Sequence, residues 1–349
     1  MFKKQIPMFL AALLIAMLVS GCLSGTSKQS QQQEPKKAST GGKVIKIASV
    51  LNDQHPANAN GTFKFKEIVE AKTKGKYEIQ VYSGNQLGDD VKATQNVRAG
   101  SIEMVLTSAA PVTGMAAEFM VFDLPFILTN DKAVDAIFDG PVGKKLAAKL
   151  DDKGLHLLAY YENGFRQLTN SAREVKTPAD LKGLKIRTME NPIHLAAWRA
   201  LGANPTPMPF SELFTSMQQK TVDGQENPIP TIYLMKFYEV QKYATLTGHV
   251  YTPFILLINS QLWASLPAED KKIFEEAALE SAKIERAANR EMNRKQVDEL
   301  KKVGMTITVL SPEQLKVFQD AVAPVYAEFE AKIGKDLINE FKQAAQSAK

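Results

Sequence analysis

The sequence predicts an α/β protein with largely parallel sheets, built as two domains. Short apolar runs of strand length alternate with stretches of helical periodicity along most of the chain. The 349 residues also exceed a single domain of roughly 100–200 residues. Hydrophobic residues make up 44% and charged residues 23% of the chain, as in an ordinary globular protein.

The elements follow in order. "VIKIASV" (44–50) and "YEIQVYS" (77–83) read as strands. Between them, Phe63, Phe65, Ile68 and Val69 form an apolar stripe at helical spacing. "IEMVLTS" (102–108) is a third strand, helical stretches follow over 131–152, and "LHLLAYY" (155–161) is a fourth strand. The second half repeats the rhythm with the strand "LKIR", the helix "HLAAWRALG" and the helical "PFSELFTSMQQK". A long charged helix is expected over 267–303, opening at Pro267, a favoured first-turn residue. "MTITVL" (305–310) reads as a strand and the C-terminus as helix. No internal repeat is visible.

The N-terminus points outside the cytoplasm. Lys3 and Lys4 precede the apolar run "MFLAALLIAMLV" (8–19), which is short of the roughly 20 residues that span a bilayer. Residues 1–21 therefore read as a signal peptide. The run ends in "VSGC", which resembles a bacterial lipobox, and Cys22 is the only cysteine. It stands where such a signal is cut and the thiol lipidated, and being alone it excludes an intramolecular disulfide. Residues 22–42, polar and rich in Gly, Ser and Gln, read as a flexible tether behind that anchor.

Several function classes find no support. The net charge of +5 is too weak and scattered for nucleic acid. No G-x-G-x-x-G, Walker A, H-E-x-x-H or G-x-S-x-G motif occurs. His55, His156, His194 and His249 lie far apart in sequence and suggest no metal site. No cofactor, metal or catalytic residue is expected. Three polar features stand out. Arg187 ends the alternating strand "LKIR", where periodicity alone favours a solvated charge. Phe210 precedes a helix with Ser211 as N-cap, a place a packing residue equally takes. "DGQENP" (223–228) reads as a structured loop, because Pro228 biases Asn227 away from helix.

Six stretches then occur in a telling order: "QLGDD" (86–90), "GFRQLTN" (164–170), "DLKGLKIR" (180–187), "LGANPTPMPFSELF" (201–214), "VDGQENP" (222–228) and "KFYEVQKY" (236–243). Together they closely resemble the solute-binding (DctP-type) subunits of TRAP transporters, the tripartite ATP-independent periplasmic uptake systems. The resemblance runs from about Val44 to beyond residue 330. It implies a two-lobed clamshell whose chain crosses between lobes more than once and whose long helix runs across both. Lobe I is expected over 44–165 plus about 253–290, and lobe II over 166–252 plus about 291–345.

The resemblance also implies site residues. Arg187 takes the position of the arginine that grips the ligand's carboxylate fork to fork. Arg166 matches a second arginine, Asn227 an asparagine at the acid group, and Phe210 an aromatic of the pocket. Asp90 corresponds to a hydroxyl-binding acid of the sialic-acid binders, and Asn52 and Thr107 are expected on the opposite lobe. The chain departs from those binders at Thr107-Ser108-Ala109, where they carry a glutamate, and at Glu190, where they carry an amide. The first departure counts against sialic acid itself. If Glu190 and Asp90 both face the cleft, a sugar acid is favoured over a C4-dicarboxylate. The expected partners are that small carboxylate, the small and large integral-membrane TRAP subunits, and the membrane through the lipid anchor; a monomer is expected. A receptor for an ATP-driven importer or a sensor, and an exported acidic-sugar enzyme, are the competing readings.

Overall fold

The computed structural model describes residues 41–348. The signal segment, Cys22 and nearly all of the tether fall outside the described residues. Eleven strands form two sheets among them: β1 (Lys43–Ser49), β2 (Tyr77–Tyr82), β3 (Met104–Ser108), β4 (Leu155–Phe165), β5 (Gln167–Asn170), β6 (Lys185–Thr188), β7 (Asn204–Pro207), β8 (Gly224–Asn227), β9 (Tyr243–Leu246), β10 (Tyr251–Asn259) and β11 (Thr306–Val309). The first sheet runs β2-β1-β3-β10-β4 and the second β11-β9-β5-β8-β6-β7.

The sheets are mixed rather than largely parallel. β10 runs antiparallel to β3 and β4, and β5 antiparallel to β8 and β9. Connectivity supplies the reason. A parallel neighbour requires a crossover of a dozen or more residues, usually a helix. β5 and β10 are instead entered directly from the other sheet, at Arg166 and across 247–250. These two crossings bond to each other where the Arg166 amide donates to the Val250 carbonyl at 2.9 Å.

The long helix Ala268–Lys302 packs on β4 and the helix Phe63–Lys72 of the first lobe, and on the helix Ile229–Leu234 and β11 of the second. Its buried face is rich in small residues, Ala277, Ala278, Ser281 and Ala282, which lets its backbone approach the sheet closely. Gly61 makes a similar approach, since a Cβ there would lie 2.5 Å from the Tyr161 ring. The helical stretch expected over 131–152 is three short pieces. It breaks at Gly140, where a Cβ would fall 2.1 Å from the Ala136 carbonyl oxygen.

The C-terminal helices lie against both lobes. Lys335–Ser347 packs on Asp131–Phe138 of the first, with the Phe341 and Phe122 rings edge to face at 5.3 Å, whereas Pro324–Ile333 also touches Pro192–Ala200 of the second. No helix among the described residues is long and apolar enough to cross a membrane.

Candidate functional site

A cleft opens between the two lobes and has two overlapping halves. The halves share Asp90, Ser108, Arg187, Met189 and Phe210. The half beside the interlobe crossing, here the inner half, adds Asn163, Arg166, Asn227 and Thr231 with the apolar Val50, Leu51 and Phe254. The outer half adds Asp89, Glu190 and Met208. Concave, mostly apolar surface with a few convergent polar groups is the form of a small-molecule site.

Arg187 stands at the centre. On β6 the alternation sends Ile186 into the apolar core and Arg187 to the other face, where it is 3% exposed. Its Nε and Nη2 donate to the Met208 carbonyl at 3.1 and 2.8 Å, and its guanidinium lies 5.9 Å from the Phe210 ring centroid. Among the described residues no carboxylate forms a salt bridge with it. Burial, then the neighbouring charge of Arg166, push its guanidinium down to about 10, so it remains cationic at neutral pH. Glu226, Asp90 and Glu190 favour its charge from a distance, but a buried cation in direct contact only with a carbonyl and a ring face is suited to an anion.

Arg166 lines the same cleft in a different state. It forks onto Glu226, with Nε on one carboxylate oxygen and Nη2 on the other at 2.9 Å. Nη2 also donates to the Glu226 carbonyl at 2.5 Å and to Asn227 Oδ1 at 3.2 Å. Glu226 is hydrogen-bonded to His249 at 3.2 Å. His194 sits 3.7 Å from Glu226, too far for a hydrogen bond but close enough for Coulomb attraction, and is hydrogen-bonded to Asp123 at 2.9 Å. Burial works against charge on Glu226, yet Arg166 and the histidines outweigh it and hold the carboxyl well below its usual range. Burial likewise disfavours the His194 cation, but Asp123 and Glu226 lift it to about 9. His249 is lowered, chiefly by burial. The result is a charge-balanced knot at the crossing between the lobes.

The other expected residues are distributed unevenly. Asn227 lines the inner half, and its Nδ2 donates to Gln225 Oε1 at 2.5 Å. Asp90 opens the helix Asp90–Arg98 and accepts a hydrogen bond from Thr107 Oγ1 at 2.8 Å. Burial raises its carboxyl, with Thr107 and then the charge of Arg187 opposing. Glu190 lines the outer half and is exposed. Asn52 does not line the cleft. Its Nδ2 donates to the Leu234 carbonyl at 3.0 Å, so it joins the two lobes beside the cleft, as His55 does through Thr231 Oγ1 at 3.2 Å.

"GQEN" is a buried strand at the centre of the second sheet rather than a loop. All four residues have both faces covered, and their hydrogen bonds replace the apolar pattern that marks most strands. Reading the sequence alone also misses Asn163, Met189, Thr231 and Phe254, together with the carboxylate partner of Arg166. The one signal available was the acid in "QEN", beside the asparagine already singled out.

Fold and cleft define a class: a bilobal receptor that encloses a small anion between two domains. The chain belongs to the bacterial extracellular solute-binding proteins of family 7, the DctP family, whose model matches residues 47–332. A solute-binding protein of Verminephrobacter eiseniae is 43% identical over 296 residues, covering 85% of this chain and 87% of that one. The sugar acid binding protein DctPAm of Advenella mimigardefordensis, solved with galactonate, is 40% identical with a TM-score of 0.86, over 88% of this chain and 99% of that one. A TRAP periplasmic solute binding protein of Sulfurospirillum deleyianum, solved with succinate, is 30% identical with a TM-score of 0.83, over 86% and 99%. These relatives are solute-binding proteins, and the chain is an extracytoplasmic solute-binding protein of the TRAP class.

Proposed function

We propose that this protein is a lipid-anchored receptor that captures a hydroxylated organic acid, a hexuronate or aldonate ahead of a C4-dicarboxylate, and delivers it to integral-membrane TRAP subunits for ion-gradient-driven uptake. The observation that carries the reading is Arg187, a buried cation lining an interlobe cleft with no carboxylate of its own. Its guanidinium takes the ligand's carboxylate, Asn227 and Arg166 flank the acid group, and Phe210 packs against it. No chemistry is done on the ligand.

The preference for a sugar acid follows from two acidic side chains of the cleft, one from each lobe. Asp90 and Glu190 both line the cleft. Carboxylates beside the ligand repel a second carboxylate, Asp90 from a less solvated position than the exposed Glu190, and accept hydrogen bonds from sugar hydroxyls. The galactonate complex of the 40% identical relative fits this chemistry better than the succinate complex of the 30% identical one. Calorimetric titration of the mature domain with gluconate, galacturonate and glucuronate against succinate and malate tests it. Sugar acids are expected to bind more tightly; micromolar dicarboxylate binding with no sugar acid bound would overturn the choice. The anchor is tested separately, since Cys22→Ser is expected to move the protein from the membrane to the soluble fraction. Unchanged fractionation contradicts lipidation.

A further inference from the structure

In the first sheet β4 and β10 slip register inside the cleft: Thr252 pairs with Gly164, but Pro253 pairs with Glu162. Asn163 is the extra residue of a β-bulge. Pro253, which has no N–H to offer the ladder, sits at the slip. Gly164 takes φ +119 there, a backbone that other residues rarely adopt. In a regular strand Asn163 and Arg166, three apart, point to opposite faces. The bulge and the glycine bring both onto the same cavity.

Both side chains arrive there with a polar atom unused. Asn163 is 3% exposed and its Oδ1 has no donor among the described residues. Arg166 is 1% exposed, and its Nη1, unlike Nε and Nη2, has no acceptor. A buried polar atom without a partner costs free energy, and neither atom is needed by the charge knot around Glu226. One orphan is an acceptor and the other a donor. A carboxylate satisfies only the donor and an ammonium only the acceptor, whereas a single hydroxyl satisfies both.

We propose that Asn163 is a specificity-determining residue that reads the hydroxyl on the carbon next to the ligand's carboxylate, so that the receptor selects 2-hydroxy acids over their 2-deoxy counterparts. The inference rests on the organic-acid reading above. Arg187 is shared by both halves of the cleft, and in the proposed pose the ligand's next carbon turns from the carboxylate on Arg187 toward the half that Asn163, Arg166 and Asn227 line, away from Asp89 and Glu190. The hydroxyl donates to Asn163 Oδ1 and accepts from Arg166 Nη1. A 2-deoxy acid leaves both atoms unpaired.

The test is calorimetry on the mature domain with two matched pairs, D-gluconate with 2-deoxy-D-gluconate and L-malate with succinate. In the pair that binds, the hydroxy acid is expected to be favoured about tenfold or more. In Asn163→Ala that ratio is expected to fall toward one, with the deoxy acid's affinity unchanged within about twofold. An unchanged ratio in the variant overturns the proposal. So does equal affinity for both members in the wild type, which decides the matter even if Asn163→Ala fails to fold; Asn163→Ser then serves as the variant. Absence of binding by all four acids strikes the organic-acid reading itself and removes this proposal with it. Binding with no hydroxyl preference removes this proposal alone.

Discussion

Two arginines line the same cleft and differ in almost everything except burial. Arg166 is locked onto Glu226 and held within a network of His249, His194 and Asp123. Arg187 is held by a backbone carbonyl and a phenylalanine ring, and among the described residues no carboxylate forms a salt bridge with it, although Glu226, Asp90 and Glu190 act on its charge from farther away. The difference teaches that a guanidinium in a binding cleft need not bind through its charge. The first arginine holds the crossing between the lobes together and offers the cleft only its Nη1 amino group. The second lines the cleft with no salt-bridge partner among the described residues.

The sharpest way to break this comparison is to delete the locked member. Arg166→Ala leaves Glu226 buried without its guanidinium, with only the His249 hydrogen bond and the more distant His194 beside it, and breaking a buried pair costs about 3–5 kcal/mol of stability. Chemical denaturation of the ligand-free protein is expected to show that loss. A variant as stable as the parent would mean that the Glu226 network is not structural.

A smaller effect separates two buried carboxylates. Glu226 is held well below its usual range, so the stability it contributes is present at neutral pH and lost as pH falls. Glu285, under β4, is the reverse: burial raises it to about 8, and burial raises Glu162 beside it to about 7 in spite of Arg290. A carboxyl raised in the fold keeps its proton after the unfolded chain has lost its own. Stability therefore declines as pH rises from the ordinary 4.5 toward 8. Glu285→Gln stays neutral and is expected to flatten the decline in Tm between pH 6 and pH 8. An unchanged slope would show that Glu285 is ionised throughout.

Much of this was legible in the sequence, and the remainder was hidden for identifiable reasons. Alternation around Ile186 put Arg187 on the face away from the core but read that face as solvated, whereas the cleft buries Arg187 to 3% exposure; the stretches that resemble the DctP family pointed to Phe210, Asn227 and Asp90, all of which line the cleft. The strand Gly224–Asn227 was not legible because a strand buried on both faces is expected to be apolar, and here every side chain is polar or absent. His194 and His249 are 55 positions apart in the chain and meet only because Glu226 lies on a central strand between them. The bulge that turns Asn163 inward depends on Pro253, a residue of a different strand, and no local pattern announces it. Asn52 was expected to face the ligand; its hydrogen bond instead closes on the carbonyl of Leu234 in the other lobe.

The central claim is that Arg187 is the free charge on which the ligand's carboxylate rests. Calorimetry and thermal unfolding of Arg187→Ala, with the best-binding acid of the panel, test it most directly. The account predicts a loss of affinity of about 2–5 kcal/mol that Arg187→Lys does not restore, because lysine lacks the fork. It also predicts no loss of stability in the ligand-free protein, since the buried charge removed had no carboxylate partner. Near-parental affinity in Arg187→Ala, or a destabilised variant that still binds, would contradict it.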